Sequence, residues 1–124
     1  ETVYGWFAMR QLLGPATRSV GIYYDDPFSV AEEVLRSRAG IVVDKAFRVE
    51  APLVDTEIAG GRYAVLRHKG PYATMRAAYQ WLYGPALAQS GEEPADAPVF
   101  EEYLNSPRDT APADLLADIY LPLR

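Results

Sequence analysis

Val3, Trp6, Phe7, Met9, Leu12 and Leu13 recur at helical spacing until Gly14-Pro15, a pattern that predicts a helix over residues 1–13. Residues 18–24 form a β-branched and aromatic run ending at Asp25-Asp26-Pro27, which predicts a strand entering a turn. Ser29-Val30-Ala31-Glu32 has the spacing of a capping box, so a short helix is expected to run from there to Arg36. Residues 40–49 read as a second strand, 51–61 as a connector, and 62–69 as a third strand. Pro71 suits the first position of a helix, along which Tyr72, Met75, Tyr79 and Leu82 form a core-facing stripe with Trp81 beside it. Gly84-Pro85 is expected to interrupt that helix, leaving a final turn to Gln89. A polar loop over 90–98, a strand over 99–105, a turn with a short helix over 106–116 and a closing strand over 117–123 complete the chain.

The pattern repeats. Ile22-Tyr23-Tyr24-Asp25-Asp26-Pro27 is echoed by Glu102-Tyr103-Leu104-Asn105-Ser106-Pro107. Leu35 and Leu115 each lie eight residues beyond their proline, and each stretch then enters a strand, with Ile41 and Ile119 leading. The expected fold class is therefore α+β, a single domain over 1–124 with halves of about 1–50 and 58–124. Two such halves related by a pseudo-two-fold axis create a cleft where they meet.

Alternation along 99–104 sorts Phe100, Glu102 and Leu104 to one face and Val99, Glu101 and Tyr103 to the other. The repeat equates Tyr103 with Tyr23 and Glu101 with Gly21. A carboxylate facing a glycine, with tyrosines on both sides, describes a cavity with an acidic floor. Burying a carboxylate among aromatic rings is costly unless it gains partners, and both the carboxylate and the ring faces attract cations. An equally open reading pairs Glu101 with Arg62 or Arg67 on a neighbouring strand. Trp81, from the helix, and Tyr120, from the last strand, are expected to line the cavity with Tyr23, Tyr103 and Gly21.

Composition narrows the chemistry. The chain has 124 residues, 49% of them hydrophobic and 23% charged, a globular balance. Without cysteine there is no thiolate site or disulfide, which fits a reducing cytoplasm. The lone histidine, His68, cannot build a zinc site and reads as an exposed strand-end residue rather than a triad member, so neither a metal nor a cofactor is expected. A net charge of -5 argues against nucleic-acid binding by this chain. No apolar run reaches the length of a membrane span, and no membrane partner is expected. Nine tyrosines, two tryptophans and four phenylalanines are ample material for an aromatic pocket.

Three stretches carry a resemblance: Val20-Gly21-Ile22-Tyr23-Tyr24-Asp25-Asp26-Pro27, residues 58–65 with His68-Lys69-Gly70-Pro71-Tyr72, and residues 100–107 followed by 117–122. In their order they resemble the GyrI-like (gyrase-inhibitor-like) small-molecule-binding family, which also supplies effector-binding domains to MerR- and AraC-type transcription regulators. The resemblance implies duplicated β-α-β-β (SHS2-like) units, an antiparallel sheet with two long helices on one face, and a ligand cleft between those helices. It maps the family's ligand-contacting glutamate, directly after the Phe, onto Glu101. The family normally opens with a strand, whereas this chain starts within the first helix, so either that strand has been removed or the fold tolerates its loss with an open sheet edge, which favours a homodimer or an exchanged strand. The expected function is binding of lipophilic, cationic or aromatic small molecules in drug or effector sensing or sequestration. Two alternatives accompany it: hydrolysis of cyclopropane-bearing natural products, with Glu101 and Tyr103 as the catalytic residues, and protein-binding inhibition of DNA gyrase.

Overall fold

A computed structural model describes residues 3–14, 16–25, 35–44, 46–49 and 51–124. In chain order these form α1 (Val3–Met9), β1 (Ser19–Tyr23), β2 (Ser37–Ile41), β3 (Tyr63–Lys69), α2 (Met75–Trp81), α3 (Leu87–Ser90), β4 (Val99–Tyr103) and β5 (Leu116–Pro122). The strands make a five-stranded antiparallel sheet in the order β2-β1-β4-β5-β3, the α+β arrangement expected from the pattern. The pairing of β1 with β4 is centred on Gly21 opposite Glu101, the two positions that the sequence repeat equates.

Several boundaries differ from the pattern. The first helix ends at Met9, short of Gly14, because Gln11 takes the left-handed conformation at φ 56°. Two backbone bonds then close the turn, from the Gln11 N–H to the Ala8 carbonyl at 3.1 Å and from the Leu12 N–H to the Phe7 carbonyl at 3.0 Å. The second strand occupies Ser37–Ile41 rather than 40–49, because its register against β1 runs from Tyr23↔Ser37 to Ser19↔Ile41. Phe47 is thereby released to stack on Phe7 at 5.4 Å and meet Trp6 at 6.3 Å. The helix expected from Ser29 lies outside the described residues except for its end at Leu35 and Arg36.

The central helix begins with a 3₁₀ turn at Tyr72–Thr74, after Gly70 at φ 130° and Pro71. It does not break at Gly84-Pro85. Proline has no N–H for the regular ladder, and the helix widens into a π turn over Leu82–Ala86 before resuming as α3. The final element is Leu116–Pro122, preceded by a short 3₁₀ turn at Pro112–Asp114.

Residues directly opposite in a ladder share a face, so Gly21, Glu101 and Ile119 lie on one side and Val20, Glu102 and Asp118 on the other. Met75 and Leu82 pack on the first side against Ala117, Ile119 and Leu121 to form the core cluster. Thus α2 covers the Glu101 face. The family resemblance implied two long helices on a single face. Phe7 of the seven-residue α1 instead lines a separate cavity of about 1130 Å³ with Val20 and Ile22, whose side chains belong to the opposite face.

On that opposite face two carboxylates sit side by side, Glu102 across from Asp118. Each is held by a two-pronged guanidinium: Arg18 bonds Glu102 at 2.7 and 2.9 Å, and Arg67 bonds Asp118 at 2.9 and 3.1 Å. The hydrogen bond from Arg18 holds the Glu102 carboxyl below its ordinary value of 4.5, against the opposing effect of burial. The folded state therefore binds this proton less tightly than the unfolded chain. The pair's stabilisation is complete above pH 4.5 and is lost as pH falls below it. Arg18→Gln is expected to destabilise the protein by about 1–3 kcal/mol at neutral pH, the cost of leaving a buried charged acceptor short of its partner. Thermal unfolding from pH 7 to pH 3 checks this, because the gap between wild type and variant should narrow on the acid side. A gap independent of pH would assign Arg18 a packing role instead.

Candidate functional site

Three elements converge on Glu101. Strand β4 directs Glu101 and Tyr103 to the same face, β1 brings Gly21 and Tyr23 alongside, and the α2 stripe lowers Tyr79 from above. Glu101 is only 6% exposed. Its Oε1 accepts a hydrogen bond from the Tyr103 hydroxyl at 2.9 Å, its Oε2 accepts one from Tyr79, and the Tyr103 hydroxyl lies 2.7 Å from that of Tyr23.

The protons can be counted. Each phenol carries one, and Tyr79 and Tyr103 donate theirs to the carboxylate, so the Tyr23–Tyr103 bond uses the proton of Tyr23. The chain Tyr23 to Tyr103 to Glu101, with Tyr79 from the far side, has no phenol proton left to offer. The carboxylate oxygens retain acceptor capacity. Chemically this is a site for a donor or a cation.

Above the carboxylate opens a cleft of about 530 Å³, lined by Tyr23, Tyr72, Met75, Tyr79, Tyr83 and Tyr103 among others, within the usual range for small-molecule sites. Tyr72 packs on Tyr103 with ring centres 5.7 Å apart, and Tyr79 stacks on Tyr83 at 6.4 Å. At the rim, Asp25 receives Arg36 through contacts of 2.9 and 3.0 Å and also accepts the Arg36 backbone N–H at 2.8 Å. The guanidinium is thus occupied at the rim.

Of the residues singled out from the sequence, Glu101, Tyr103, Tyr23 and Gly21 come together here, with Gly21 directly opposite Glu101. Trp81 and Tyr120 do not. Trp81 lies two residues past Tyr79, on the far side of the helix, and is 52% exposed. Tyr120 sits between Ile119 and Leu121, which take the Glu101 face, so alternation turns it to the other side, where it stacks on Phe100 at 4.4 Å. Neither arginine proposed as a partner reaches Glu101, since Arg62 pairs with Glu92 and Arg67 with Asp118. Tyr72, Tyr79 and Tyr83 were not anticipated in the cleft. The signal for Tyr79 was present, because it belongs to the stripe with Met75 that had to face the sheet.

An antiparallel sheet backed by a helix, with an aromatic cleft closing on a buried carboxylate, has the make-up of a small-molecule-binding domain. The chain belongs to the GyrI-like small molecule binding domain family, whose model matches residues 1–124. It is 32% identical over 108 residues to a DNA gyrase inhibitor of Enterobacter lignolyticus (strain SCF1), covering 85% of this chain and 68% of that protein. It is 31% identical over 120 residues to the probable transcriptional regulator YgiV of Escherichia coli (strain K12), covering 90% of this chain and 71% of the relative. The transcriptional regulator BrlR of Pseudomonas aeruginosa is 29% identical over 85 residues, which span 68% of this chain and 32% of BrlR. Among the described residues no helix is long and apolar enough to cross a membrane.

Burial holds the phenols of Tyr23, Tyr79 and Tyr103 above the ordinary value of 10, and the nearby Glu101 adds to the effect. The folded state keeps these protons more tightly than the unfolded chain, so their contribution is complete below pH 10 and lost as pH rises beyond it. Alkaline titration followed by phenolate absorbance and far-ultraviolet circular dichroism is expected to separate two groups among the nine tyrosines. Exposed phenols should ionise first, and the cleft phenols only together with loss of secondary structure. A single ionisation of all of them near the ordinary value, with the fold intact, would contradict a closed phenol chain.

Proposed function

We propose that the domain binds a lipophilic, cationic or aromatic small molecule in this cleft, with tyrosine faces against the ligand body and Glu101 at its positive or hydrogen-donating end. The observation that carries this reading is a buried carboxylate, supplied with phenol donors and forming no ion pair with an arginine or lysine of the described residues, at the base of an aromatic cavity. Such a group is short of positive charge, and a ligand cation supplies it in surroundings where charge pairing is stronger than in water. Aromatic faces add attraction for the same cation. The regulator and gyrase-inhibitor names belong to the relatives. Small-molecule binding is the property carried to this chain, as a sensing or sequestering module.

Glu101→Gln keeps the shape of the side chain and removes its charge. The variant is expected to weaken a cation such as 1-naphthylmethylammonium by about 1.5–3 kcal/mol, the range for a hydrogen bond to a charged group, or roughly ten- to a hundredfold. The neutral counterpart 1-naphthylmethanol should change less, since it brings no charge and its hydroxyl can still donate to the amide oxygen that Gln retains. Fluorescence titration of wild type and folded variant with both compounds decides the matter. Equal losses would make Glu101 a structural residue, and no loss for either would move the binding site elsewhere.

A further inference from the structure

Gly21 sits in the interior of β1, with side-chain neighbours that leave it no room for a methyl group. A Cβ built there would lie 2.6 Å from the Tyr103 hydroxyl, 3.0 Å from the Tyr23 hydroxyl and 3.2 Å from Cε2 of Tyr23. Its backbone lies within a regular strand, so conformation does not demand a glycine. A glycine inside a strand ordinarily weakens it. Space is the remaining reason, and the space is taken up by the two phenol oxygens of the hydrogen-bond chain from Tyr23 through Tyr103 to Glu101.

We infer that Gly21 is a positioning residue for the cleft, and that the missing side chain allows Tyr23 and Tyr103 to meet beside Glu101 and direct a hydroxyl into the carboxylate. Three facts converge on this role. Gly21 is directly opposite Glu101 in the β1–β4 ladder, where a side chain would stand against the acid. The Tyr103 hydroxyl is fixed from two sides, by Glu101 at 2.9 Å and Tyr23 at 2.7 Å, and its ring rests on Tyr72. It cannot yield to a methyl group without lengthening at least one of those bonds. Tyr79 reaches the other carboxylate oxygen from α2, so displacing Tyr103 would leave Glu101 held on one side only. Gly21 thus sets which way the carboxylate faces without itself carrying any chemistry.

This inference rests on the ligand reading above only for its consequence in binding. Its structural part is tested without ligand, by a double-mutant cycle of Gly21→Ala and Tyr103→Phe. Removing the Tyr103 hydroxyl removes the closest conflict, so Gly21→Ala should lower the melting temperature by about 5 °C in the wild-type background, the scale of a modest overpacking. It should cost clearly less in the Tyr103→Phe background. The functional part is the preference for 1-naphthylmethylammonium over 1-naphthylmethanol, which Gly21→Ala should reduce by about tenfold even while the protein remains folded, the scale of one charge-assisted hydrogen bond. If Gly21→Ala alone does not fold, the double variant is expected to fold, and its failure would overturn the inference. Equal thermal cost in both backgrounds, or an unchanged cation preference in folded Gly21→Ala, would also overturn it. A wild type with no cation preference would sink the ligand reading instead, and the thermal cycle would still decide the role of Gly21.

Discussion

The structure turns on one contact across the middle of the sheet, a glycine directly opposite a buried glutamate. Everything around the cleft answers to that pair. The glutamate requires donors, which come as phenols from β4 and α2, and the glycine provides the volume in which a third phenol joins them. The core on the same face, from Met75 to Leu121, fixes the distance between helix and sheet and so the reach of Tyr79. Stability and site geometry are therefore set by the same packing.

A protein that keeps a carboxylate in an aromatic interior has two ordinary solutions, a cation of its own or neutral donors. Both appear here, one on each face of the same strand. Glu102 takes the first, through Arg18, and its neighbour Glu101 takes the second, through Tyr79 and Tyr103. The first closes the electrostatic account within the chain. The second orders the carboxylate while leaving positive charge to come from outside, which is the physical basis of the function proposed above. Adjacent identical residues are thus given opposite roles by alternation alone.

Much of this was legible in the sequence, for identifiable reasons. Alternation in 99–104 and the repeat of 22–27 in 102–107 together brought Glu101, Tyr103, Tyr23 and Gly21 to one place, because both signals are local. The end of α1 was not legible, since Gln11 adopts a conformation usually marked by glycine. The limits of β2 were not legible either, because register against β1 outweighed the β-branched residues beyond Gly40. Tyr79 and Trp81 show the harder limit. Both are large aromatics on one helix, and choosing between them requires knowing how the helix is rotated on the sheet. The Met75–Leu82 stripe held that information, but the size of Trp81 and its place beside the stripe pointed the other way.

The two kinds of carboxylate partner also respond differently to ionic strength. The guanidinium groups of Arg18 and Arg67 are more than half exposed, so dissolved ions compete with the attraction that ties them to Glu102 and Asp118. The phenols around Glu101 are uncharged and partly buried, leaving mobile ions little to screen. Added salt therefore loosens the back of the sheet and leaves the cleft's internal bonds as they were. The domain can lose part of its folding margin in brine while its empty site keeps the same shape.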